Sequence, residues 1–201
     1  MLKLFSSKKF PAKKQPIIVV SGLPRSGTSM MMKMLQAGGL EPLTDSIRSA
    51  DDDNPNGYFE FERVKQMTAG DRAWLDDAGG KVVKVISYLL EQLPTDRTYK
   101  IIFMEREIKE VLASQKKMLD HRGEKSKISD EEMEAQFREH IKLVKPWLAR
   151  QPHVDVLYVG YNSMMSAPEP LCKRMIEFLG LPLDLEKMLS VPNAKLYRNR
   201  A

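Results

Sequence analysis

The sequence predicts a three-layer α/β fold, a central parallel β-sheet flanked by helices, and three observations carry that prediction. Short runs rich in Val, Ile, Phe and Tyr alternate with helical patterns along the chain. The first and third runs have unbroken apolar cores, as strands covered on both faces do. A loop bracketed by Gly22 and Gly27 joins the first run directly to a helical stretch.

The strand runs are residues 17–21, 81–86, 99–105 and 154–161. Helical patterns cover 28–37, stopped by Gly38 and Gly39, then 108–119, 130–150 and 169–179, the last ended by Gly180 with Pro182 just beyond. Ser129 and Glu132 have capping-box spacing at the start of the third helix, and Met133, Phe137, Ile141, Val144 and Leu148 mark its buried stripe. Met30, Met31, Met32 and Met34 on the first helix read as core filling. Two polar stretches, 41–57 and 120–129, carry no element; such loops either line a substrate site or simply cover the surface. With no repeat and no second apolar pattern, 17–201 is expected to be a single domain behind a flexible basic tail, 1–16.

The chain has 201 residues, is 42% hydrophobic and carries a formal charge of +5. Lys3, Lys8, Lys9, Lys13 and Lys14 account for the whole excess, so the charge reads as a solvated tail and nucleic acid is not an expected partner. Cys172 is the one cysteine, which points to a reducing, cytoplasmic compartment, and no His/Cys cluster has metal-ligand spacing. Asp51, Asp52 and Asp53 are consecutive and cannot all face one ion, so they read as a solvated loop or an acceptor-amine contact. Charges interrupt every apolar run well before the ~18 residues of a membrane span, and no signal-peptide core is visible. Oligomeric state stays open.

The residues Gly22-Leu23-Pro24-Arg25-Ser26-Gly27-Thr28-Ser29 keep P-loop spacing: glycine, four residues, glycine, then two residues opening a helix. The glycines let successive N–H groups curl inward, and the positive end of the helix dipole lies behind them, so the loop is an anion site. Thr28 stands where an ATP-binding loop has its lysine, which argues against transfer of a terminal phosphoryl group.

This loop resembles the 5′-phosphosulfate-binding loop of the sulfotransferases that use 3′-phosphoadenosine 5′-phosphosulfate (PAPS). The stretch "IIFMEREIKEVLASQKKML", 101–119, resembles their 3′-phosphate segment, where an arginine just past a strand and a serine eight residues later hold the phosphate; here these are Arg106 and Ser114. An arginine fork and a hydroxyl suit a phosphate dianion; the other reading of these residues is a surface Arg106 paired with Glu105 or Glu110 and an exposed helix Ser114. "KVVKVISYLLEQLP" and "VDVLYVGYNSMMSAPEPLCKRMIEFLGLPLD" extend the likeness over about 17–184. The resemblance implies the P-loop NTPase-like sulfotransferase fold, PAPS as donor, adenosine 3′,5′-bisphosphate (PAP) as product, a small-molecule or glycan acceptor and no metal.

It also implies roles. Gly22, Pro24, Arg25, Ser26, Gly27, Thr28 and Ser29 would form the cradle, with Arg25 as the cation on the leaving phosphate. Lys84 matches a second cation or is a solvent-facing strand-end lysine. The histidine that small-molecule members carry nearby falls on Ile86, so the base must lie elsewhere; Glu60 in "NPNGYFEFERV" is preferred over Glu62. Both could equally be solvated carboxylates at a helix start. Arg198 in the C-terminal "KLYRNR" would reach the 3′-phosphate. A small-molecule kinase and a catalytically silent nucleotide-binding module remain as alternatives.

Overall fold

The computed structural model describes residues 15–45 and 57–192. Residues 1–14, Asp51, Asp52, Asp53 and Arg198 lie outside them. Five strands, β1 (Ile17–Gly22), β2 (Pro42–Leu43), β3 (Val82–Lys84), β4 (Tyr99–Glu105) and β5 (Val154–Gly160), form a wholly parallel sheet in the order β2-β3-β1-β4-β5. The central strand β1 pairs with β3 on one side and β4 on the other.

Period-two alternation sends successive strand side chains to opposite faces. Ile18, Val20, Ile102 and Met104 meet one core, which contains Met30, Met31, Met32 and Met34 of α1 (Thr28–Ala37). The core filling expected of those methionines is what the structure shows. Ile17, Val19, Ile101 and Phe103 meet the second core, closed by Trp74, Leu90 and by Val144 and Leu148. Further helices in chain order are α2 (Glu62–Lys65), α3 (Ile108–Arg122), α4 (Asp130–Ala149), α5 (Tyr161–Ser166), α6 (Pro168–Leu179) and α7 (Leu185–Leu189). Helices therefore cover both faces, the three-layer fold expected.

Several boundaries differ from the sequence reading. The strand expected over 81–86 is three residues long, because the chain turns into a 3₁₀ segment, Ser87–Gln92. Tyr161 begins α5 instead of ending β5. Helix α3 runs past 119 to Arg122 and stops at Gly123, whose φ of 65° suits the left-handed helix end. Within the unassigned 41–57 stretch, Pro42 and Leu43 form an edge strand, where a proline's missing N–H costs no ladder bond. The capping box is present: Ser129 Oγ accepts from the Glu132 N–H at 3.1 Å and Glu132 Oε2 from the Ser129 N–H at 3.0 Å. Of the expected α4 stripe, Val144 and Leu148 are buried, while Met133, Phe137 and Ile141 are only half-buried.

Candidate active site

The carboxyl ends of the strands, beside the switch in strand order around β1, are where open parallel sheets bind ligands. The P-loop-like turn stands there. Gly22, at φ 147°, closes β1; a Cβ on it would stand 2.5 Å from Ser26 Oγ and 2.6 Å from the Met104 carbonyl. Ser26 is buried and closes the turn on itself, its hydroxyl and N–H both donating to the Leu23 carbonyl at 2.7 and 3.2 Å. Arg25 holds φ 65°, uncommon for a residue with a side chain. Gly27, at φ 99°, caps α1 and lies so close to Tyr161 that a Cβ would meet its ring at 2.5 Å. The half-buried Thr28 and Ser29 open α1, whose first-turn N–H groups carry the positive end of the dipole.

Arg25 turns onto α3. Its Nε donates to Ser114 Oγ at 3.0 Å, and Nη1 reaches Met118 Sδ at 4.0 Å. Arg106, just past β4, donates from Nη1 to the Arg25 carbonyl at 3.1 Å and from Nε to Glu110 Oε2 at 2.9 Å. Its guanidinium lies 4.2 Å over the Tyr161 ring. Burial raises the Tyr161 phenol above its ordinary value, with Arg106 opposing, so it stays protonated at neutral pH. The Arg106 and Ser114 singled out in the sequence thus meet Arg25 of the loop on one side, the β4 flank.

Lys84 and Glu60 stand on the other, β3 flank. Lys84 Nζ donates to the Tyr58 carbonyl, which Ser29 Oγ also reaches at 3.4 Å, so residues 57–61 are tied to the start of α1. The Glu60 carbonyl accepts from Thr44 Oγ1 at 2.9 Å and from the Asp45 N–H at 3.2 Å. The Glu60 carboxylate, 34% exposed, lies 3.8 Å from Lys65 Nζ. Phe61 is extended and α2 begins at Glu62, which pairs with Lys65 at 2.8 Å, so one lysine stands near both carboxylates. Beyond Lys84, Ile86 and Tyr88 are exposed, and His140 from α4 stacks on Tyr88 with centroids 3.7 Å apart and Nε2 2.9 Å from Ser87 Oγ. A histidine therefore does reach the segment in which the sequence has none.

Beside Arg106, toward α4, opens a cavity of about 430 Å³ lined by Arg138, Ile141, Lys145, Tyr161 and Asn162 among others. Among the described residues no three His, Cys, Asp or Glu side chains are grouped to hold a metal ion.

Residues 15–196, nearly the whole chain, match the sulfotransferase domain family. The chain belongs to that family. Three solved structures share its fold. Retinol dehydratase in complex with androsterone and PAP aligns at TM-score 0.53 and 15% identity over 90% of this chain and 65% of that one. A mouse sulfotransferase complexed with PAP aligns at 0.55 and 17% over 96% and 68%. The sulfotransferase domain from the curacin biosynthetic pathway aligns at 0.52 and 14% over 90% and 79%. This sulfotransferase-family chain thus spans about two thirds of the first two. No curated protein matches it in sequence. No helix among the described residues is long and apolar enough to cross a membrane.

Sequence reading missed Asn162 and gave Tyr161 no partner; Glu110 it offered only as a surface partner of Arg106 beside Glu105, whereas the structure buries the Arg106–Glu110 pair. Glu110 had a legible signal, since a carboxylate four residues after Arg106 on a helix is an i,i+4 ion pair. Asn162 had none, because it meets Glu110 across 52 residues of sequence.

Proposed function

We propose that the protein is a PAPS-dependent sulfotransferase, one cytoplasmic domain that moves a sulfuryl group to a hydroxyl or amine of a small-molecule or glycan acceptor and releases PAP. The observation that carries this reading is the convergence of Arg25, Ser114 and Arg106 on one flank of the loop, which suits a second anion grip beside the P-loop. A nucleoside triphosphate needs only the first. The PAP complexes among proteins of this fold support the same donor, and the androsterone and retinol complexes of retinol dehydratase support a small acceptor.

In the reaction a bond forms between the acceptor oxygen or nitrogen and sulfur, while the bond from sulfur to the bridging phosphate oxygen breaks. The electron pair stays on the leaving phosphate. Arg25 and the N–H groups of Gly27 and Thr28 neutralise it, with the Thr28 and Ser29 hydroxyls beside them. Gly22, Pro24 and Ser26 shape the turn; Arg106, Ser114 and Arg198 hold the 3′-phosphate. Glu60 takes the acceptor proton, and Lys84 is the second cation on the β3 flank. No step calls for a metal.

Ile86, where small-molecule members carry a histidine, favours one competing reading, a silent binding module. Labelled PAPS with an acceptor panel separates the two. The wild type is expected to transfer label, and Arg25→Ala to lose on the order of 10²- to 10³-fold in kcat. PAP binding without turnover over the panel would favour the silent module, and full activity in Glu60→Gln would remove Glu60 as the base.

A further inference from the structure

Glu110 stands in the first turn of α3, 3% exposed, and uses both carboxylate oxygens. Oε2 accepts from Arg106 Nε at 2.9 Å, and Oε1 accepts from Asn162 Nδ2 at 3.0 Å. Asn162 Oδ1, on the opposite side of the amide, is buried with no partner among the described residues. The Asn162 amide nitrogen is thus what ties α5 to Glu110. With Nε fixed and the plane stacked on Tyr161, the Arg106 guanidinium has one orientation left. In that orientation Nη1 donates to the carbonyl of Arg25, the loop residue held at φ 65°.

We propose that Glu110, braced by Asn162, is a positioning residue that couples the two phosphate subsites. It sets the Arg106 fork that meets a 3′-phosphate and, through the same guanidinium, the backbone of the loop that meets the 5′-phosphosulfate. This inference rests on the PAPS reading above. A fixed fork discriminates a bisphosphate from a monophosphate better than one free to swing, because no ordering is left for the ligand to impose.

Calorimetric titration of the full chain with PAP and with AMP tests it. The readout is the ratio of their dissociation constants in the wild type, Glu110→Gln, Glu110→Asp and Asn162→Ala. A merely structural role lowers the folded fraction and leaves this ratio alone, since both ligands report only folded protein. Wild type is expected to prefer PAP, Glu110→Gln to lose about tenfold of that preference, and Glu110→Asp to keep more of it by retaining the charge. If Glu110→Gln does not fold, Asn162→Ala carries the test, with a loss of roughly threefold expected. A wild type that prefers AMP overturns the donor reading itself. A wild type that prefers PAP with the ratio unchanged in the folded variants overturns the coupling alone.

Discussion

Arg25 combines a strained backbone with a committed side chain: its carbonyl is held by Arg106 and its Nε by Ser114. Ser114→Ala is expected to weaken PAP binding by roughly tenfold, the value of one hydrogen bond to a charged group, measured by titration. Gly27→Ala is expected to do more. It places a side chain at φ 99° against the Tyr161 ring, so both melting temperature and PAP affinity should fall together. At this scale the meeting of Arg25, Arg106 and Ser114 was legible, because P-loop spacing and an arginine with a serine eight residues on are local patterns. Tyr161 against Gly27 and Asn162 against Glu110 were not. They are contacts between the helix starts that follow different strands, which only the parallel topology brings together.

Helix α4 shows the same division between elements. Its capping box was readable from Ser129 and Glu132, and Ser129→Ala should cost about 1 kcal/mol of stability in denaturant unfolding. Its stripe was readable only in part. The half that packs on the sheet buries Val144 and Leu148, whereas Ile141 lines the cavity beside Arg106 and is half-buried. Periodicity reports which face is apolar, not how far along the helix there is something to cover it. The same helix carries His140 to Ser87 and Tyr88. Burial pushes this imidazole below its ordinary value of 6.5, with Glu91 opposing. The unfolded chain therefore takes up a proton first as pH falls, so the native state loses stability from about pH 6.5 down through the depressed folded value. His140→Gln should flatten the dependence of melting temperature on pH between roughly 7 and 5.

Over the whole molecule, the sequence revealed an alternating α/β chain because β1 and β4 are apolar on both faces, as strands inside a three-layer fold must be. It concealed the two-residue edge strand β2, too short for any periodicity, and the packing of residues 57–61 onto Lys84 and Ser29. The lone cysteine belongs to this scale as well. Cys172 is fully buried against the α1 core, and burial pushes its thiol up to about 11, so native protein should resist iodoacetamide while urea-unfolded protein reacts.

On the PAPS reading the pocket takes a nucleotide phosphorylated at both the 3′ and 5′ positions, and ligand-dependent melting tests this. A ligand at a hundredfold its dissociation constant stabilises the native state by about 2.7 kcal/mol, which for a domain of this size is roughly 5 to 10 °C. PAP is predicted to raise the melting temperature by that amount, and ATP with Mg²⁺ to leave it nearly unchanged. A shift with ATP and Mg²⁺ and none with PAP would overturn the PAPS reading.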